Sequence, residues 1–306
     1  MKKYLIFLLI LMFIIGCGQQ STSNISGNES SGLQNVNHIK VIDGKINPCY
    51  KDIYLKFNDK YSYWYQQKYF IPQMRKDGIV AFTDLEQQFE NVTICFKDIA
   101  KYAEDAIPLY EGDKKAYLQA IKNCYTKKAE PSAIMEEILS SYKRYINYQE
   151  QIDATDKQYQ FVLSAFNDYN GYAIKNEKTK AQESLDNLTL QLNSLKQEIQ
   201  KLRSIIRLES QDNYLRWANL SLEAAELRKK AWDAKESSRD DFFDLAIDKD
   251  TEANRIMVST DMGAAIDSWF YEVITQKDKQ YFGIQTESEN SDCKTAGELV
   301  NSVINS

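Results

Sequence analysis

The chain is poor in helix breakers. Its four prolines stand at 48, 72, 108 and 131, and none follows. Between Gly112 and Gly263 the only glycine is Gly171. Inside a helix, proline costs about 3 kcal/mol and glycine about 1 kcal/mol relative to alanine. A stretch nearly free of both continues as helix wherever its apolar residues recur at steps of three and four. The sequence predicts an all-α fold, an elongated helical bundle with long helical hairpins.

Element by element, Pro48 suits a first helical position. Tyr50, Tyr54, Phe57, Tyr61, Trp64 and Lys68 then form one stripe, which ends before Pro72 with Met74–Gly78 as the turn. Thr83-Asp84-Leu85-Glu86 has the capping-box pattern, so Thr83 is expected to cap a second helix. Leu85, Phe89, Val92, Phe96, Ile99 and Ala103 line its face, and Pro108 follows its end. A third helix is expected over 113–126. A fourth opens at Pro131-Ser132 and carries Ile134, Ile138, Tyr142, Tyr145, Tyr148, Ile152, Tyr159 and Phe166 to a break near Asn170-Gly171. One further helix is predicted over 251–275. Beyond Gly283 lies a polar tail with a short helix over 296–304.

The sharpest periodicity is in 185–206. Leu185, Leu188, Leu192, Leu195, Ile199, Leu202 and Ile206 alternate steps of three and four, a coiled-coil-like seam about 33 Å long. It fits an intramolecular hairpin with a neighbouring antiparallel helix. It also fits a parallel homodimer in which Glu198 and Arg203 pair across the seam. Its length is the minimum for a coiled coil, which favours the hairpin.

The N-terminus reads as an address. Lys2 and Lys3 precede 12 apolar residues, Tyr4 to Ile15, and Ile14-Ile15-Gly16-Cys17 closes the run. The run is short for a membrane span and has the layout of a secretion signal. It resembles the lipobox of bacterial lipoproteins. The resemblance implies cleavage before Cys17, acylation of Cys17 with palmitate-type chains, and a lipid-anchored protein of the cell envelope. With Gly18 after the cysteine, it also implies the periplasmic side of the outer membrane if the host is Gram-negative. Two or more acyl chains hold a protein stably at a membrane. Residues 18–37 include 16 glycines or uncharged polar residues out of 20, a composition that buries too little apolar surface to order itself. The expected organisation is a signal peptide over 1–16, a lipidated cysteine and polar tether over 17–40, and a helical domain over 41–306 with a subdivision near 171. The single histidine, His38, lies at the end of that tether.

The 306-residue chain carries a net charge of −6; without Lys2 and Lys3 it carries −8. That balance disfavours nucleic acid as a partner. Besides Cys17 there are four cysteines, Cys49, Cys95, Cys124 and Cys293. In an exported protein they form two disulfides in one of three connectivities. If helices two and three make an antiparallel hairpin about the 108–112 turn, Cys95 and Cys124 stand level. The expected pairs are then Cys95–Cys124 and Cys49–Cys293.

Several catalytic schemes lack their residues. With one histidine, expected in the tether, an HExxH zinc site, a Glu-x-x-His di-iron bundle and a well-placed histidine base for a Ser or Cys nucleophile are not expected. No phosphate-binding glycine loop and no nucleophile elbow occurs. Asp248-Lys249-Asp250-Thr251-Glu252 has calcium-loop spacing, but Ala253 stands at the turn glycine. Asp240, Asp241 and Asp244, beside Phe242 and Phe243, read as a solvated helix face. No catalytic residue, metal site or cofactor is expected.

What stands out is aromatic density. Tyr61 to Phe70, YSYWYQQKYF, holds six aromatics in ten residues, more than one helical face accommodates. Tyr63 and Tyr69 are the expected outward members. With Trp64 and Tyr65 they make a candidate surface for a protein partner or for stacking a sugar; the alternative is a helix buried on several sides. The Tyr61–Trp64 segment, with Cys95 on a later helix before Pro108, is similar to the YiiG-like helical lipoproteins of unknown function, although the chain lacks that family's Tyr-Lys-Asp-Asp-type segment. The function these features favour is non-enzymatic binding or scaffolding of another envelope protein. Solute binding between helices, or a carboxylate-dependent glycan-cleaving activity, are the alternatives.

Overall fold

The structure, a computed structural model, describes residues 37–67, 71–258 and 260–304. The signal segment, Cys17 and the stretch 18–36 lie outside the described residues, as does Tyr69. Among the described residues the chain forms ten α-helices and no strand, an all-α helical bundle. None of these helices is long and apolar enough to cross a membrane.

The helices are α1 (His38–Pro48), α2 (Leu55–Gln67), α3 (Ile71–Ala106), α4 (Gly112–Ala129), α5 (Ser132–Ile174), α6 (Lys178–Ile205), α7 (Glu209–Asp233), α8 (Glu236–Val258), α9 (Met262–Ser288) and α10 (Lys294–Ile304). Two compact units result. One comprises 37–56, 90–131 and 282–304; the other comprises 57–89 and 132–281.

In the first unit α1 begins at His38 rather than near Asn47, and Ile39 and Ile42 are buried. His38 lies against the rings of Tyr102 and Tyr110, so it belongs to the helical body and not to the tether. Pro48 closes α1 instead of opening a helix. The proline has no N–H to donate back to the Gly44 carbonyl in the preceding turn, and a π-helical turn, Cys49–Tyr54, follows it. Both disulfides lie here: Cys49–Cys95, with Cα atoms 5.9 Å apart, and Cys124–Cys293, at 4.9 Å.

This corrects the expected pairing of Cys95 with Cys124. The level-residue rule needs α3 and α4 in close contact, within the 4.4–6.8 Å between Cα atoms that a disulfide spans. The two helices are neighbours, with Lys122 paired to Glu104 at 2.6 Å, but the side chains that meet between them are Phe96 and Tyr125, one position after each cysteine, with ring centroids 5.6 Å apart. On its other sides α4 packs closely on α10 and the π-helical turn Glu289–Cys293. The expected polar tail beyond Gly283 is therefore helical, and Lys127 fixes it by an ion pair with Asp292 at 2.7 Å.

In the second unit α5, α6, α7 and α8 follow one another as antiparallel neighbours, as their short connections require. The break expected near Gly171 falls later. Asn176 takes the left-handed conformation (φ 56°), with Glu177 N–H on the Tyr172 carbonyl and Asn176 N–H on that of Ala173, a Schellman end to α5. The seam residues from Leu185 to Leu202 are buried in a core with Val162, Ala165, Trp217, Ala218 and Ala225. The stripe is thus covered within the chain, the hairpin arrangement. A homodimer through 185–206 would need the same residues facing a second copy. Glu198 and Arg203, candidates for pairing across such a dimer, bind Lys201 and Asp212 of their own chain.

Opposed pairs set the register of α6 and α7. Gln182 bonds Asp233, Lys229 pairs with Asp186 and Arg203 with Asp212, all centred on the turn at 206–208. Fully buried Gln211 locks that turn. Its amide donates to the Ile206 carbonyl at 2.7 Å and the Tyr148 hydroxyl at 2.9 Å, while its oxygen accepts from Leu208 N–H.

Two other boundaries differ from expectation. Thr83 does not cap; its hydroxyl bonds back to the Ile79 carbonyl inside α3, and the break lies at Gly78 (φ 68°, ψ −173°). That conformation is open essentially to glycine alone. The helix expected over 251–275 is two helices, α8 and α9, with the Asp261 carboxylate accepting from Ala264 N–H at the start of α9.

Candidate interaction surface

The aromatic segment of α2 sits over a stack of rings. Trp64 packs on Phe82 (centroids 4.8 Å), Phe82 stacks on Tyr142 (4.8 Å), Tyr142 meets Phe270 edge-on (5.0 Å), and Phe270 stacks on Tyr145 (4.1 Å). These side chains are all buried. Two of the core tyrosine hydroxyls are matched by carboxylates of α9. Tyr145 donates to Asp267 at 2.8 Å, and Tyr61 donates to the buried Asp278. Burial, reinforced by the neighbouring Asp278 charge, pushes the Tyr61 phenol well above its usual pKa and keeps it a neutral donor.

Above this platform α2 and α3 enclose a shallow groove of about 370 Å³, lined by Asp59, Lys60, Tyr63, Trp64, Ala81, Asp84 and Leu85. Tyr63 is 46 % exposed and meets Trp64 edge-on at 5.2 Å. Trp64, by contrast, is only 7 % exposed. It lies on the buried stripe with Phe57 and Tyr61, where the helical spacing placed it, and forms the floor of the site. Tyr65 is half-buried near Tyr61. Across the groove Lys60 pairs with Asp84 at 2.7 Å, and Gln88 also donates to Asp84. Those hydrogen bonds, that of Lys60 first, hold the Asp84 carboxyl below the usual range.

The site therefore has an apolar floor, a projecting aromatic and a charged rim, the layout of a small protein-binding surface. A second, wider groove of about 680 Å³ is lined by Phe282, Gly283, Thr286, Glu287 and Ser291. One continuous stretch of chain supplies all of these residues, so the groove brings together no chemistry from separate elements.

The other candidates are dispersed. Asp240, Asp241 and Asp244 are exposed on α8. Asp248 to Glu252 continue that helix, where Asp250 pairs with Arg228 and Glu252 with Arg216, so the segment is no calcium loop. The rim pair Lys60–Asp84 escaped the sequence because its members come from different helices and the capping pattern had assigned Asp84 to a helix start.

Compared with known proteins, the chain matches no family model, no curated protein and no solved structure.

Proposed function

We propose that the chain is an exported, lipid-anchored binding or scaffold protein of the bacterial cell envelope, without enzymatic activity. Acyl chains on Cys17 hold it at a membrane, on the periplasmic face of the outer membrane in a Gram-negative host. The polar stretch after Cys17 spaces the helical body from the lipid, and the body engages another envelope protein through a helical surface. The N-terminal pattern supports export and anchoring. The two cysteine pairs at disulfide distance support an oxidising compartment.

The observation that carries the binding role is Tyr63, half exposed above the buried Trp64 beside a charged rim. A rigid aromatic over a packed floor contributes binding area at little entropic cost. Tyr63→Ala and Tyr63→Glu should leave stability within about 1 kcal/mol, because the side chain projects outward. Recovery of the partner after crosslinking in intact cells should fall by about tenfold or more. Undiminished recovery with Tyr63→Glu would remove this surface from the account.

A further inference from the structure

We infer that the occupant of the Tyr63 groove is an arginine side chain of the protein partner, laid on the Tyr63 ring and paired with Asp59. This rests on the binding role proposed above for Tyr63.

The charge balance of the groove points there. Of its two carboxylates, Asp84 is already engaged by Lys60 and Gln88. Asp59 is exposed and has no ion pair among the described residues, which leaves the groove with one uncompensated negative charge. Asp59 precedes Tyr63 by one helical turn, and side chains at that spacing lie on one face, about 5–6 Å apart at Cβ. A cation within about 6 Å of the ring centroid therefore also lies within reach of the Asp59 carboxylate. Arginine fits this pair better than lysine, because its planar guanidinium stacks on an aromatic while its N–H fork meets a carboxylate. The net charge of −8 left after loss of Lys2 and Lys3 also favours a basic partner patch at longer range.

The test uses the full-length protein crosslinked in the cells that make it, with Asp59→Asn, Asp59→Arg and Tyr63→Ala compared with the wild type. Circular dichroism of each purified variant checks the fold. Wild-type complex should protect one partner arginine from phenylglyoxal. Asp59→Asn should lower partner recovery about two- to fivefold, Asp59→Arg should lower it further, and both should abolish the protection. If Tyr63→Ala loses the partner while both Asp59 variants recover it at wild-type level, the arginine inference is overturned and the Tyr63 reading stands. If Tyr63→Ala has no effect, both fall. Capture of a saccharide instead of a polypeptide also overturns the inference.

Discussion

Replacing Cys124 and Cys293 together by serine is expected to destabilise the unit built from α1, the second part of α3, α4 and α10 by about 5 kcal/mol. The disulfide closes a loop with a sequence separation of 169, and on the chain-entropy model a 100-residue loop already contributes about 4.7 kcal/mol. The Cys49–Cys95 bridge closes a loop of 46, for which the same relation gives about 4 kcal/mol. The double serine variant at 124 and 293 should therefore lose more than the variant at 49 and 95. Urea unfolding of the oxidised proteins compares them. Non-reducing peptide mapping should return Cys49 joined to Cys95 and Cys124 joined to Cys293. A peptide joining Cys95 to Cys124 would reverse the assignment.

Arg228→Ala is the second large effect. The Arg228 side chain is 9 % exposed and that of its partner Asp250 is 25 % exposed. The guanidinium also lies over the rings of Phe166 and Tyr169, 5.4 and 5.5 Å from their centroids. One residue of α7 thus ties α5 to α8. Removing it strands a largely buried carboxylate and empties the space between two rings. Loss of one partner from a buried pair costs about 3–5 kcal/mol, and the partial exposure of Asp250 places this case near the lower figure. Replacing both partners with apolar residues, Arg228→Met with Asp250→Leu, should recover most of the loss, because the apolar pair carries no desolvation cost. Thermal or urea unfolding distinguishes these outcomes. Equal losses in the single and double variants would show that the contribution lies in the guanidinium's contacts with the Phe166 and Tyr169 rings and not in the stranded Asp250 charge.

The architecture was legible because it follows from periodicity. Leu185 to Leu202 sit buried where their spacing placed them, and Leu85, Phe89, Val92, Phe96, Ile99 and Ala103 line a buried face of α3. Boundaries were less legible where local chemistry has two uses. A threonine followed by an acidic residue caps a helix or bonds back within one, and at Thr83 the glycine five residues earlier decided the matter. Gly171 is tolerated within α5 because Asn176 supplies the left-handed end.

The disulfide pairing was out of reach for a different reason. It depends on which faces meet, and between α3 and α4 that place is taken by Phe96 and Tyr125, one position after the two cysteines. At the candidate site, the outward placement of Tyr63 followed from overcrowding of one helical face. Trp64 lies on the stripe the spacing defined, but its partner Phe82 and the Lys60–Asp84 rim needed the tertiary structure. Likewise nothing local marks Arg228 or Gln211 as buried; both are polar residues on a helix whose polar face meets neighbours.

The central claim, an exported protein held by lipid on Cys17, is tested most directly by labelling growing cells with radioactive palmitate and comparing the wild type with Cys17→Ala. The account predicts label on a processed wild-type protein in the membrane fraction and none on the variant. A full-length, unlabelled wild-type chain in the cytosol would contradict it.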